Sequence, residues 1–246
     1  MGSTRLPGKV LADIVGRPML WHVVNRVKQS KLVDRVVVAT SNKAGDDPIA
    51  DFCNREGHAC FRGSEDNVLD RYYQAARHFD AETVVRITAD CPLVDGQVID
   101  EVVECFNKGE FDYTTNTLER TYPDGLDTEA FSFASLERSW GEAKLKSERE
   151  HVTPYMRNHP ELFRLGNVRF TEDRSSLRWT VDEPKDLEFV RAVYGHLGLC
   201  AFGMTEVFKL LREHSQLSEM NKGIERNEGY LKSLREDEAL QSTSAR

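Results

Sequence analysis

The first residues of the chain combine side chains and glycines that are suited to binding phosphate. Residues 2–9 read Gly-Ser-Thr-Arg-Leu-Pro-Gly-Lys and contain two glycines, two hydroxyl groups and two cations. Glycine lets the backbone approach a ligand closely, so that successive N–H groups can surround phosphate oxygens. Arg5 can hold an anion through two hydrogen bonds, and Lys9 can neutralise a triphosphate as a point charge. The segment is a candidate phosphate loop, and a terminal segment with incidental charge is the structural alternative.

Two aspartates come directly after β-branched segments farther along the chain. Asp90 ends the string Arg-Ile-Thr-Ala-Asp, and Asp182 ends the string Trp-Thr-Val-Asp. The ligand-binding crevice of an open α/β sheet lies at the carboxyl ends of its strands, and Mg²⁺ binds a few carboxylates together with phosphate oxygens. On the residues alone, a helix cap at Asp182 and a turn at Asp90 explain the two positions at least as well.

The elements that must position these residues alternate between strands and helices. Strands are predicted over 34–41, 82–89, 111–116, 163–170 and 177–181, and helices over 18–29, 47–57, 67–79, 98–108, 131–146, 184–197 and 205–234. This alternation indicates an α/β fold, a Rossmann-like, mostly parallel sheet flanked by helices. We expect one domain over residues 1–235 with a substrate-side insertion around 117–155, followed by a disordered tail over 236–246.

Composition excludes several classes of protein. The chain has 246 residues, of which 39% are hydrophobic, and a formal net charge of −8. The acidic balance argues against nucleic-acid binding, and no stretch approaches the ~20 apolar residues that a membrane-spanning helix needs. The five cysteines have no C-x-x-C spacing. They therefore indicate reduced thiols in a cytoplasmic protein.

Several longer motifs resemble one enzyme family. Residues 1–11 are similar to the phosphate loop of sugar nucleotidyltransferases, in the branch that contains acylneuraminate and 3-deoxy-manno-octulosonate cytidylyltransferases. Residues 86–95 (RITADCPLVD), 122–127 (YPDGLD), 149–155 (REHVTPY), 178–187 (RWTVDEPKDL) and 221–234 resemble the spore coat polysaccharide biosynthesis protein F group within that branch. The resemblance covers nearly the whole chain and implies the nucleotide-diphospho-sugar transferase type of fold.

The resemblance implies a magnesium-dependent cytidylyltransferase. In such an enzyme, an oxygen of a sugar or sugar phosphate attacks the α-phosphorus of CTP and expels pyrophosphate. The partners would be CTP, a sugar acceptor and a second copy of the chain in a homodimer, and the product would serve a surface or spore-coat polysaccharide. A glycosyltransferase of similar fold and a non-catalytic nucleotide-binding relative are the alternatives. The segment around Asp90 lacks the Asp-x-Asp that glycosyltransferases usually use to hold their metal.

The resemblance also implies roles for individual residues. Arg5 and Lys9 are the expected catalytic residues, which bind the β- and γ-phosphates, and Asp90 and Asp182 are the expected Mg²⁺ ligands. The residues expected to contact the acceptor are Asp127, Glu129 and His151. The residues expected to contact the nucleotide are Gly2, Ser3, Thr4, Thr40, Ser41, Arg62, Gly63, Ser64, Thr88 and Ala89. Helix capping by Ser64 and ordinary turn chemistry at residues 123–129 are the structural alternatives.

One departure from the resembling families concerns the start of the sheet. In those families an apolar strand ending in Ala-Arg comes immediately before the phosphate loop, whereas this chain begins inside the loop. Such a strand lies near the centre of the sheet. We therefore expect the first strand to be missing from this chain, which would leave unpaired strand edges and an apolar slot.

Overall fold

The computed structural model of the chain describes residues 2–3, 5–199, 201–224, 226 and 228–244. Thr4 of the predicted phosphate loop, Cys200 and residues 245–246 lie outside the described residues. The strands are β1 (Asp13–Ile14), β2 (Arg17–Pro18), β3 (Val37–Ser41), β4 (Ala59–Gly63), β5 (Thr83–Arg86), β6 (Tyr113–Thr115), β7 (Glu129–Ser132) and β8 (Leu165–Asn167). The α-helices are α1 (Met19–Val27), α2 (Asp47–Glu56), α3 (Val68–His78), α4 (Gly96–Asn107), α5 (Phe133–Glu142), α6 (Lys146–His151), α7 (Pro154–Asn158), α8 (Pro184–Leu197), α9 (Met204–Glu213) and α10 (Glu228–Ser244).

The strands form a hairpin and two further sheets. β1 pairs with β2, β3 pairs with β4 in parallel, and the remaining strands form a sheet in the order β5-β7-β6-β8. β6 and β8 are parallel, whereas β7 is antiparallel to both of its neighbours. The predicted α/β class is confirmed, with β7 giving the sheet a mixed character. The sequence predicts a helix over 131–146, whereas residues 131–132 belong to β7 and the helix α5 begins at Phe133. The apolar pattern does not reveal that this segment begins inside the sheet.

Local chemistry explains where the main helices begin and end. α4 begins after Asp95, whose carboxylate accepts the backbone N–H groups of Gln97 and Val98. α2 carries a proline in its first turn and ends at Gly57, whose φ of 69° suits a residue without a Cβ atom. These signals are local in sequence, which is why the helices after β3 and β5 lie close to their predicted positions.

β3 and β5 both line a cavity of about 820 Å³. Residues 36–39 and 83–89 contribute to its lining, and α1 contributes Leu20, Val23 and Val24. Within the described residues, each of these strands pairs along one edge only, β3 with β4 and β5 with β7. The lining combines apolar side chains such as Val38 and Val85 with charged ones such as Arg71 and Arg86.

The chain after β8 departs from the predicted elements in one respect. Residues 177–181 form no strand of their own, and pair through a single bridge between Arg178 and Asp124. Trp179 and Val181 are nevertheless almost completely buried, in one cluster with Leu187 and Val190 of α8. The apolar alternation that predicts a strand therefore reflects burial, while the backbone hydrogen bonds go to a loop.

α10 extends to Ser244 and so occupies most of the segment for which the sequence predicts a disordered tail. The carboxylate of Asp237 accepts the backbone N–H groups of Lys146 and Ser147, at 2.8 and 3.1 Å. Glu236 forms an ion pair with the ammonium of Lys146. Because these partners lie 90 or 91 positions earlier in the chain, the polar composition of α10 does not reveal them. In the described part of the chain, no helix is long and apolar enough to cross a bilayer.

Candidate active site

The structure brings Lys9, Asp90 and Asp182 together at one point. The ammonium of Lys9 lies 2.8 Å from Oδ2 of Asp90, 2.8 Å from Oδ1 of Asp182 and 2.8 Å from the carbonyl oxygen of Val181. The two aspartates lie 81 and 173 positions after Lys9. Arg5 approaches the same carboxylate, with 3.1 Å between its Nη2 and Oδ1 of Asp182. Both predicted catalytic cations therefore contact the predicted metal ligands.

Backbone contacts hold the three segments in this arrangement. Gly8 has a φ of 71°, which suits glycine, and it precedes a short 3-10 turn that begins at Lys9. The carbonyl oxygen of Asp90 accepts the N–H of Val181 at 2.8 Å, which ties the two carboxylate-bearing segments to each other. Leu6 and Val10 pack against the same core cluster as Trp179. The backbone hydrogen bond therefore fixes the two aspartate segments, and core packing fixes the loop that carries Lys9.

Lys9 and Asp90 keep each other charged. Burial by itself lowers the pKa of Lys9, but the charges of Asp90 and Asp182 outweigh it and raise the pKa above its ordinary value. Burial by itself raises the pKa of Asp90, but the ammonium of Lys9 outweighs it and holds the pKa below the usual range. At neutral pH the site therefore contains the ammonium of Lys9 beside the ionised carboxylate of Asp90.

The predicted nucleotide residues of β3 and β4 lie side by side at the carboxyl ends of these two strands. Thr40 pairs with Arg62 and Ser41 pairs with Gly63 across the two strands. The guanidinium of Arg62 donates to the carbonyl oxygens of Ser41 and Lys43, at 3.0 and 2.9 Å. Its side chain thus braces the loop after β3. The hydroxyl of Thr40 donates to Oδ2 of Asp46 at 2.8 Å, and the hydroxyl of Ser41 accepts the N–H of Lys43 at 3.3 Å.

The other predicted nucleotide residues lie in turns near the same edge. Thr88 forms a contact of 3.2 Å with the sulfur of Cys91, and Ala89 packs on the cluster beneath α1. Ser3 accepts the N–H of Leu6 at 3.2 Å. Gly2 lies across from Glu65, whose Oε1 is 4.0 Å from the position of a Cβ built on Gly2.

Ser64 and Arg71 show how this edge is held and what the sequence did not reveal. Ser64 accepts the N–H of Asn67 at 3.0 Å, as the capping alternative predicts. Arg71 donates to the carbonyl oxygen of Ser64 at 2.9 Å, and its buried Nε has no partner in the described part of the chain. A Cβ on Gly63 would lie 2.9 Å from the Cγ of Arg71, so glycine is needed for this arrangement. The helical pattern of residues 67–79 does not show which groups lie opposite Arg71.

Two of the predicted acceptor residues make hydrogen bonds to other parts of the fold. Glu129 is buried in β7 and accepts hydrogen bonds from Arg86, from the hydroxyl of Tyr113 at 2.6 Å and from that of Thr153 at 2.6 Å. His151 contacts the hydroxyl of Ser233 through its Nε2 at 3.1 Å. Both side chains thus serve contacts within the fold. Asp127 is half-buried in the loop that precedes β7.

Asp127 has a raised pKa with a consequence for stability. Burial raises the pKa of Asp127 to about 6, and the neighbouring charge of Asp124 adds to the effect. Because the carboxyl of Asp127 has a higher pKa in the folded than in the unfolded state, its protonated form stabilises the folded state. This contribution is fully present below the unfolded pKa near 3.8 and is lost as the pH rises through about 6. We expect the free energy of unfolding of the wild-type protein, relative to Asp127→Asn, to fall by about 2 kcal/mol between pH 4.5 and 7.5. Urea unfolding of both proteins measures this, and a difference that does not change with pH would contradict it.

Gly125 packs the loop of residues 122–129 against the segment that carries Asp182. Its φ is 109°, and a Cβ there would lie 2.6 Å from the backbone nitrogen of Thr180 and 2.6 Å from the carbonyl carbon of Trp179. We expect Gly125→Ala to lower the free energy of unfolding by about 2 kcal/mol or more, because strain and overpacking add together. The control is Gly195→Ala on an exposed face of α8, where a Cβ meets nothing within 4 Å. That change should be neutral or stabilising in the same urea titration.

The sequence pattern of one protein family matches almost the whole chain. The match is to the family described as "Cytidylyltransferase" and spans residues 1–220. The chain belongs to the cytidylyltransferase family. This agrees with the geometry above, since the matched region contains the phosphate loop and both aspartates.

Two curated proteins and one solved structure are similar to this chain. It is 35% identical over 207 residues to the spore coat polysaccharide biosynthesis protein SpsF of Bacillus subtilis, covering 80% of this chain and 84% of that protein. It is 38% identical over 107 residues to the 3-deoxy-manno-octulosonate cytidylyltransferase of Trichlorobacter lovleyi, covering 43% and 41% of the two chains. A solved cytidylyltransferase from Leptospira borgpetersenii superimposes with a TM-score of 0.85 at 30% identity, covering 92% of this chain and 95% of that one. The predicted resemblance and the predicted nucleotidyltransferase activity are therefore confirmed.

Two residues that the sequence did not single out complete the geometry of this cytidylyltransferase. The guanidinium of Arg178 lies 2.9 Å from Oδ2 of Asp182, and Asp186 in turn accepts two hydrogen bonds from Arg178. A signal for them was present in the sequence. Arg178 and Asp182 are four positions apart, and Asp186 occupies the third position of a helix that opens with proline.

Proposed function

We propose that this chain transfers a cytidylyl group from CTP to an oxygen of a sugar or sugar phosphate and releases pyrophosphate. The observation that carries the proposal is the convergence of Lys9 and Arg5 on the carboxylates of Asp90 and Asp182. The acceptor oxygen would form a bond to the α-phosphorus while the bond to the β-phosphate breaks. The relation to the B. subtilis SpsF protein supports a product used in a surface or spore-coat polysaccharide.

The carboxylate pair fits a magnesium ion. The Lys9 ammonium already serves as a cation held by one oxygen each of Asp90, Asp182 and Val181, and Mg²⁺ likewise prefers oxygen ligands. Among the described residues, no three or more His, Cys, Asp or Glu side chains form a metal-binding group. Two carboxylates together with triphosphate oxygens and water match the way in which proteins usually hold Mg²⁺ at a nucleotide. We assign the metal to Asp90 and Asp182.

The residues of this chain contribute position and charge, and no side chain has to act as a nucleophile. When bound, Mg²⁺ would neutralise charge on the triphosphate oxygens. Lys9 and Arg5 would exchange their carboxylate partners for oxygens of the β- and γ-phosphates, and would stabilise the charge that develops on pyrophosphate. The backbone at the ends of β3 and β4 would hold the base and ribose. Asp127 would face the acceptor from the loop before β7.

The setting of the reaction is part of the proposal. Four cysteines are free thiols in the described part of the chain, namely Cys53, Cys60, Cys91 and Cys105, which supports a reducing compartment such as the cytoplasm. We further propose that the enzyme works as a homodimer, without nucleic acid or membrane partners, as the family resemblance implies.

Pyrophosphate release tests the proposed function. Purified protein is incubated with CTP, Mg²⁺ and a panel of sugars, acidic sugars and sugar phosphates, and pyrophosphate is measured with a coupled phosphatase assay. We expect release that requires CTP, the metal and one class of acceptor. Matched reactions with nucleotide sugars in place of CTP are the control. Consumption of a nucleotide sugar without pyrophosphate would instead identify a glycosyltransferase. Calorimetric binding of CTP without pyrophosphate release for any acceptor would identify a non-catalytic nucleotide-binding relative.

A further inference from the structure

Arg178 forms the centre of a buried cluster of charges behind the proposed metal site. Its side chain is only 6% exposed, and its guanidinium contacts three carboxylates. It donates to Oδ1 and Oδ2 of Asp186 at 2.9 and 3.0 Å, to Oδ2 of Asp182 at 2.9 Å and to Oδ2 of Asp124 at 3.1 Å. One planar cation thus joins a proposed metal ligand to two other parts of the fold.

Asp186 anchors this guanidinium. Its side chain is completely buried, and it accepts the backbone N–H groups of Asp182 and Glu183 at 2.9 Å each, and the amide of Asn221 at 3.0 Å. Asp186 therefore fixes both the backbone of Asp182 and the cation that holds the Asp182 side chain.

The two oxygens of Asp182 face different partners as a result. Oδ2 is bonded to Arg178, which is held on its other side by Asp186. Oδ1 points to the phosphate loop, where it lies 2.8 Å from the ammonium of Lys9 and 3.1 Å from Nη2 of Arg5. A carboxylate held in this way cannot rotate freely about its last bond, since rotation would break the contact with a buried guanidinium.

We propose that Arg178 and Asp186 are positioning residues that direct Oδ1 of Asp182 toward the magnesium–triphosphate, an inference that rests on the proposed function. Neither side chain needs to touch the metal or the nucleotide. Arg178 occupies one carboxylate oxygen, and Asp186 keeps the guanidinium and the Asp182 backbone in place. Ligating residues are generally tuned by such outer partners, and loss of one costs about 10- to 100-fold in metal affinity.

The test measures binding and not turnover. CTP is titrated into the protein by calorimetry at a series of Mg²⁺ concentrations, without acceptor, and the Mg²⁺ concentration that gives half-maximal CTP affinity is determined. Arg178→Lys keeps the charge, but its compact ammonium has three N–H donors and cannot reproduce the four hydrogen bonds of the planar guanidinium. We therefore expect this concentration to rise about tenfold or more, with CMP affinity in the absence of metal unchanged. The matched control is Arg86→Lys, which alters a different buried ion pair, with Glu129. It should retain the wild-type dependence on Mg²⁺.

A second variant keeps the inference testable if one protein does not fold. Asp186→Asn retains the shape of the side chain and removes its charge, and it should shift the Mg²⁺ dependence in the same direction. A wild-type Mg²⁺ dependence in whichever of the two variants melts cooperatively would overturn the inference. An equal loss of CMP affinity and Mg²⁺ dependence would also overturn it, since that result indicates general disruption. If the wild-type protein itself shows no Mg²⁺-dependent CTP binding, the proposed function fails first, and the two failures are thus distinguishable.

Discussion

Replacing either Asp90 or Asp182 with Asn is expected to lower turnover by about 10²–10³-fold and to leave the protein folded. Each substitution removes a carboxylate charge from the proposed magnesium site, where charge stabilisation in the transition state is worth several kcal/mol. Each tenfold loss in rate corresponds to about 1.4 kcal/mol. Both side chains are about one-quarter exposed, at 26% and 23%, so the substitutions remove little packing. The measurement is the rate of pyrophosphate release over a series of Mg²⁺ concentrations, together with a thermal melt.

A control for this prediction is available at another ion pair of the fold. Asp112 is 31% exposed and forms an ion pair with Arg164, with 2.9 Å between Oδ1 and Nη2. Asp112→Asn therefore removes a similar ion pair at similar exposure, outside the phosphate loop and the segments that it contacts, and should keep near-wild-type turnover. Near-wild-type turnover of Asp90→Asn or Asp182→Asn at limiting Mg²⁺ would show that the residue in question is a turn or helix cap and not a metal ligand.

Lys9→Ala is expected to weaken CTP binding much more than CMP binding. The ammonium is assigned to the distal phosphates, which CMP lacks, and a hydrogen bond to a charged group is worth about 1.5–3 kcal/mol. The loss of CTP affinity should therefore be about tenfold or more. The pKa of Lys9 is raised by its carboxylate neighbours, so this contrast between CTP and CMP should persist across the neutral pH range. Calorimetric titration of both nucleotides in the presence of Mg²⁺ measures the effect.

The control is Lys222→Ala, since Lys222 is an exposed lysine that pairs with Glu219 on the surface. It should bind both nucleotides as the wild-type protein does. If Lys9→Ala weakens CTP and CMP binding by the same factor, Lys9 contacts the α-phosphate or acts only through the carboxylates. In either case its assignment to the distal phosphates would be wrong.

The class of fold, the family and the residues at the centre of the site follow from the amino-acid sequence. Local signals suffice for this. Glycine, proline and capping residues define where helices such as α2 begin and end, and β-branched runs define β3 and β5. Asp90 and Asp182 can be paired from their sequence positions, because their segments are expected to end at the same edge of a sheet. The family motifs extend over residues that fold together, so the loop with Lys9 can be assigned to the same place.

The partner that each polar side chain takes is set by the folded arrangement and not by any local pattern. Lys9 bridges two carboxylates 81 and 173 positions away, and Arg178 reaches Asp124 across 54 positions. A periodic pattern reports which face of an element is buried, but not what packs against that face. For this reason β7 could not be recognised as an antiparallel strand, and Glu129 could not be recognised as a buried partner of Arg86. Charged groups are stable in the interior only when distant segments supply their counter-charges, and those segments meet only in the folded chain.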